Sequence, residues 1–168
     1  AIRENNLVPD RYLNRVDTIR WMISRQAIEK NDLMILDLLA SNDWKRPVYF
    51  AMTMGSESFI GLDRYFHLEG LAYRVLPVVG NPKEGETGEV NTGIMYDNVM
   101  NTFRFGNMND PTVYLDENNL RMAMNFRNAF GRLADALITE GKKDSARRVL
   151  DRCMQELPMN TIPPDYFI

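Results

Sequence analysis

The apolar positions of the chain fall into short runs up to residue 79 and into a helical stripe after residue 116. Residues 1–18 are polar and weakly periodic, with Val8-Pro9-Asp10 as a turn. Ile19-Arg20-Trp21-Met22-Ile23 alternates as a short strand does, which predicts a strand near 19–23. Asn31 and Asp32 supply N-cap chemistry for a helix near 31–41. Its run Leu33-Met34-Ile35-Leu36-Asp37-Leu38-Leu39 is apolar almost all round, and such a helix is expected to be buried on most faces. Ser41-Asn42-Asp43 ends it. Pro47 then opens a strand near 47–53, whose Val48-Tyr49-Phe50-Ala51-Met52 is β-branched and aromatic. Proline is tolerated at a first strand residue because its missing N–H need not join the ladder. After a Gly55-Ser56-Glu57-Ser58 loop, a short helix is expected around Leu62–Glu69, ended by Gly70, and then a strand near 71–79.

Strand, helix, strand, helix, strand over 19–79 predicts an α+β fold with a small, partly parallel sheet and helices against it. Residues 80–93 carry glycines and charges without apolar periodicity and read as a loop and a subdomain boundary. The expected organisation is an α/β-like body at 1–93 and a helical part at 94–168. A short helix is predicted at 94–102 and a turn region at Phe105–Pro111. Asp116 caps a long helix in which Leu120, Ala123, Met124, Phe126, Phe130, Leu133, Ala134 and Leu137 form one stripe. Gly141 closes it, and a second helix from Ser145 to Leu157 turns Ala146, Val149, Leu150 and Cys153 inward until Pro158 stops it.

This hairpin, within 117–158, resembles a tetratricopeptide repeat. Phe130 stands at the repeat's first aromatic, Leu133-Ala134 at its Leu-Gly, Leu137 at its Tyr and Gly141 at the interhelical turn. Ala146, Leu150 and Cys153 occupy the packing positions of the second helix and Pro158 the terminal proline. Small residues let two helix axes approach while larger ones fill the seam. One repeat cannot bury its own face. Residues 1–125 are therefore expected to supply a packing partner, or further repeats to follow. The resemblance implies a protein or peptide partner bound on a concave helical surface.

Composition narrows the function classes. Hydrophobic content of 45% with 26% charged residues predicts a folded core rather than disorder. A net charge of −3 offers no basic field for nucleic acid or anionic lipid. A single cysteine, Cys153, excludes an internal disulfide and a multi-cysteine metal site. No apolar run approaches the roughly 18–20 residues that cross a bilayer. The start without Met and the end on Pro163-Pro164-Asp165-Tyr166-Phe167-Ile168 read as a fragment of a longer protein.

A wider resemblance rests on Lys30-Asn31-Asp32-Leu33-Met34-Ile35-Leu36-Asp37-Leu38-Leu39 and Asn42-Asp43-Trp44-Lys45-Arg46-Pro47-Val48-Tyr49-Phe50, and on Tyr65–Arg74 and Val113–Glu117. These resemble the C-terminal soluble part of a bacterial multi-span membrane protein family whose membrane part is similar to lipid-sugar-dependent glycosyltransferases. The resemblance implies an accessory domain on the periplasmic side of the cytoplasmic membrane, with the parent's own membrane part among the candidate partners. It brings no catalytic residues and implies no cofactor.

Individual candidate sites are few. A catalytic reading pairs His67, the only histidine, with Asp63 or Glu69 as acid and base, and Asp63 lies four residues away, one helical turn. A helix-surface or structurally satisfied histidine is the favoured alternative. Gly55-Ser56-Glu57-Ser58 lacks the second glycine of a nucleophile elbow, and residues 80–93 lack a phosphate-binding motif. Asp110, Asp116 and Glu117 do not have calcium-loop spacing, so no metal site is predicted. Trp44-Lys45-Arg46 offers an aromatic beside two cations, suited to stacking on a sugar or clamping an anion. The favoured alternative has Trp44 plugging the helix–strand corner and Arg46 pairing with an acid. Arg64, Tyr65 and Glu69 form a weaker second patch. The eleven methionines suit an adaptable core or contact surface. The function expected is a non-catalytic interaction domain. Its rivals are a small glycan- or nucleotide-acting enzyme around Trp44, Arg46, His67 and Glu69, and a spacer for downstream repeats.

Overall fold

The computed structural model describes residues 7–23 and 27–163. The chain divides into two units, Ala1–Leu68 with Ala72–Glu89, and Glu69–Leu71 with Val90–Ile168.

In the first unit, a 3-10 helix at Asp10–Arg15 precedes α1 (Lys30–Asn42), and β1 (Tyr49–Ala51), β2 (Phe66–Leu68) and β3 (Ala72–Val75) follow. With β4 (Glu89–Val90) they form a four-stranded mixed sheet in the order β1-β3-β2-β4. β3 pairs antiparallel with both neighbours, Phe50 opposite Tyr73 and Phe66 opposite Val75. The α+β class therefore holds. α1 starts with a reciprocal cap, in which Glu29 N–H donates to the Asp32 carboxylate at 3.0 Å.

Two predicted elements differ. Residues 19–23 carry no strand. That segment is held by Tyr65, whose hydroxyl accepts from Arg20 N–H at 2.9 Å and donates to Arg20 C=O at 3.0 Å. The expected helix at 62–69 is a single 3-10 turn, Asp63–Tyr65, running into β2. Phe66, His67 and Leu68 are all buried, a pattern that a two-sided strand satisfies and a surface helix does not. Gly70 lies in the β2–β3 connection at φ 143°, not at a helix end. A Cβ there would sit 2.7 Å from the Phe103 ring, so the turn requires glycine.

The sheet's core is aromatic. Phe66 stacks on Tyr73 at 5.3 Å between centroids, and Phe59 meets Phe66 edge-on at 5.0 Å. A second cluster joins Val8 and Tyr12 of the N-terminal segment to Leu76 and Val78. Arg15 closes it with two hydrogen bonds to Glu89, at 3.1 and 2.9 Å, and a third to Val79 C=O. Burial works against the Glu89 charge, but the Arg15 hydrogen bonds, the Asn81 N–H and the Arg15 charge hold its carboxyl below its ordinary range. Burial, reinforced by the Glu89 charge, drives the Tyr12 phenol well above its usual value.

In the second unit, α2 (Thr92–Asp97) continues into a π-helical turn at Asn98–Thr102, followed by α3 (Glu117–Thr139) and α4 (Lys143–Glu156). Asp116 caps α3 by accepting from Asn119 N–H at 2.8 Å. α3 and α4 pack side by side, with Gly141 at φ 77° in the turn between them. Phe130, Leu133, Ala134 and Leu137 of α3 and Ala146, Val149 and Cys153 of α4 are buried. Pro158 is half-buried just beyond α4. Leu150 does not follow the expectation. It is 44% exposed, because Val149 takes the inward position on that turn. The packing partner for the hairpin lies in its own unit: α2 and the π-helical turn lean on α3 and α4, and Phe103 and Phe105 interlock with Phe126 and Phe130. Glu69 accepts from Asn91 Nδ2 at 2.9 Å, its main-chain carbonyl accepts from Asn98 Nδ2 at 2.7 Å, and Thr92 donates to Glu140 at 2.9 Å.

Candidate binding surface at the helix–strand corner

α1 ends at Asn42, and the chain reverses towards β1 through Asp43 and Trp44, both left-handed at φ 46° and 55°. A bulky residue in that region carries strain of about 1–3 kcal/mol unless its surroundings fix it. Asn42 does so. Its Nδ2 donates to Arg46 C=O at 2.8 Å and its Oδ1 accepts Arg46 N–H at 3.2 Å, while Lys45 N–H donates to Asn42 C=O at 2.9 Å. The amide thus takes the place of a backbone partner across the turn.

The corner separates what the sequence set side by side. Trp44 is half-buried and lines an apolar hollow of about 420 Å³ together with Ile19, Trp21, Leu36, Leu39, Ala40, Val48, Leu62 and Val75. Lys45 and Arg46 are exposed and line a neighbouring depression with Leu38, Ser41, Pro47 and Tyr49. Asn42 and Val48 border both. Lys45 lies 3.8 Å from the exposed Asp43, and Arg46 forms no ion pair among the described residues. The corner position expected of Trp44 is thereby occupied, while Arg46 does not take the acid partner expected with it.

Arg64, Tyr65 and Glu69 do not act as one surface group. Tyr65 is buried and spends its hydroxyl on the Arg20 backbone, Arg64 is exposed with its guanidinium 5.4 Å from the Tyr65 ring, and Glu69 is buried in the second unit. His67 is fully buried on β2, with Nε2 3.1 Å from Val78 C=O and its ring 4.6 Å from that of Tyr12. Both features describe a histidine built into the core, and β2 removes the helical spacing that would have paired it with Asp63. Cys153 is buried, and burial raises its thiol pKa against the lowering influence of Arg127. No three His, Cys, Asp or Glu among the described residues are grouped to hold a metal ion.

Sequence reasoning missed the hollow because its walls come from separate places: residues 19–21, α1 and the turn after it, Leu62, and Val75 of β3. It also placed α1 in the interior. Leu33, Met34 and Leu38 are instead 56%, 65% and 50% exposed, sharing the outer side of the helix with the exposed Asp37 and Ser41.

Residues 1–94, more than half of the 168 in the chain, match the family model of TMEM260-associated domain 2. The chain belongs to that family. The matched segment contains α1, the corner and all four strands. Membership gives the chain a membrane-protein context, that of a domain accessory to TMEM260-type proteins. Among the described residues no helix is long and apolar enough to cross a membrane. No curated protein and no solved structure matches the chain.

Proposed function

We propose that this TMEM260-associated domain is a non-catalytic docking module of a multi-span membrane protein concerned with glycan transfer, held on the periplasmic side against the parent's own membrane part. The observation that carries this proposal is the exposure of three large apolar side chains, Leu33, Met34 and Leu38, on the outer side of α1, inside the family-matched segment. An isolated domain gains nothing from exposing three large apolar side chains on one helix, whereas a docking surface buries them. The resemblance of the same α1 run to the soluble part of a glycosyltransferase-like membrane family supports the identity of the partner. The test is co-expression of the 168-residue chain with the separately tagged membrane part of its parent. Association is expected in detergent, and Leu33→Ser with Met34→Ser and Leu38→Ser should abolish it without changing the far-UV spectrum. Co-purification that survives the triple substitution overturns this docking face.

A second contact is favoured by Leu150 and Met154, one turn apart on α4 and 44% and 48% exposed. In the tetratricopeptide reading of the hairpin, this is where a further helical pair packs. Extending the chain with downstream parent sequence should then protect Met154 from peroxide oxidation, and unchanged oxidation removes the array reading.

A further inference from the structure

Both tryptophans of the chain, Trp21 and Trp44, line the same apolar hollow. Its volume of about 420 Å³ falls within the roughly 300–1,000 Å³ typical of small-molecule pockets. Asn42 is the one lining residue with a polar side chain other than the indoles, and its amide is committed at both ends to the Arg46 backbone. The Trp21 indole N–H is buried with no hydrogen-bond partner among the described residues. The lining offers water few hydrogen-bond partners. Hydrocarbon asks for none. Across the shared border of Asn42 and Val48 lies the depression holding Lys45 and Arg46, with no carboxylate in its lining.

We propose that the hollow takes the alkyl chain of an anionic amphiphile, whose head group reaches Lys45 and Arg46. The apolar walls supply affinity in proportion to the chain buried. The two cations supply the preference for a negative head group, a carboxylate or a phosphate, and the exposed Asp43 carboxylate beside Lys45 tempers that preference. The alkyl-chain hollow shares no residue with the docking face proposed on the outer side of α1, although Leu38 of that face also borders the head-group depression.

Because Trp21 and Trp44 are the only tryptophans, their emission reports on this hollow alone. The 168-residue chain would be titrated, below each probe's micelle concentration, with laurate, dodecyl phosphate and uncharged dodecanol, and with a fatty acid brominated at mid-chain as quencher. Saturable quenching by the brominated acid is expected, with laurate and dodecyl phosphate each competing several-fold more tightly than dodecanol. The two anions distinguish a carboxylate from a phosphate preference. Ala40→Phe fills the hollow and should abolish the quenching. Lys45→Glu with Arg46→Glu, which alters exposed positions only, should reduce both anions to the affinity of dodecanol. Quenching that rises linearly without saturation overturns the proposal. So does equal binding of dodecanol and both anions, or binding unchanged in both variants.

Discussion

Helices α1 and α3 are both rich in large apolar residues, yet only α3 hides most of its own, leaving Met122 and Ile138 half exposed. α3 buries Ala129, Phe130, Leu133, Ala134 and Leu137 and turns Arg121, Asn125 and Asn128 outward or to the margin. α1 carries Leu33, Met34, Ile35, Leu36, Leu38 and Leu39, and none of these is fully buried. The difference is one of contrast rather than of hydrophobicity. α3 has a polar side, so only one orientation hides its stripe. α1 has apolar side chains on nearly every side, so covering Leu36 and Leu39 leaves Leu33, Met34 and Leu38 outside. Burial is therefore readable from periodicity and not from apolar content. What α1 leaves uncovered is the surface that the proposed docking would bury.

The sharpest way to break the comparison is to remove a side chain from the α3 seam. Phe130 is about 1% exposed and touches Phe105 at 5.8 Å between ring centroids. Phe130→Ala should cost about 3–5 kcal/mol of unfolding free energy, through lost transfer and a residual cavity. Urea titration followed by circular dichroism measures it. A loss below 1 kcal/mol would mean that the hairpin does not rely on its aromatic seam.

A smaller effect is expected at the corner that closes α1. Asn42→Ala deletes both side-chain hydrogen bonds to Arg46 and leaves the two left-handed residues with the Lys45 N–H to Asn42 C=O bond, a loss of about 1–2 kcal/mol. Asn42→Asp keeps the acceptor and loses the donor, so it should fall between alanine and wild type. If alanine and aspartate are equally damaging, the donor to Arg46 C=O carries the turn alone.

Glu89 lies next in the series. Its folded pKa is depressed, so its contribution is present above the unfolded value and is lost as pH falls through the folded one. With Arg15 42% exposed and Glu89 13% exposed, screening keeps the pair near 1 kcal/mol. Glu89→Gln should therefore be less stable than wild type at pH 7, and the gap should shrink as the medium is acidified below about pH 4. A gap independent of pH would assign the loss to packing rather than charge.

The hairpin was legible because each of its signals is local: the Asp116 cap, the three- and four-residue stripe, Gly141 and Pro158 lie within about forty residues of continuous sequence. The sheet was legible in class and less so in its elements. Tyr65-Phe66-His67-Leu68 could be read as a helix because four residues are too few to separate the two periods. The decisive fact, that both faces are covered, comes from Phe50, Phe59 and Tyr12, which are remote in sequence. The strand expected at 19–23 failed for a related reason. Alternation describes a side-chain pattern, while the Arg20 backbone found its partner in the Tyr65 hydroxyl instead of a neighbouring strand. At the corner, Trp44, Lys45 and Arg46 were visible as residue types. Their division between two hollows follows from two successive positive φ angles that no composition announces.

The smallest expected effect tests α1 itself. Leu33→Ser, Met34→Ser and Leu38→Ser each alter a side chain that is half or more exposed, and exposed substitutions usually change stability by no more than about 0.5 kcal/mol. Serine also lowers helix propensity slightly, which sets the direction of the small loss. The same three substitutions in a Phe130-type position would each cost several times more. Near-neutral values in the 168-residue chain, measured by urea titration, would show that these residues contribute nothing to its own core. A loss of 2 kcal/mol at any of them would instead mean that α1 packs its outer side within the folded chain, and the contrast with α3 would dissolve. Neutral stability together with loss of association with the membrane part separates a surface kept for a partner from one kept for the fold.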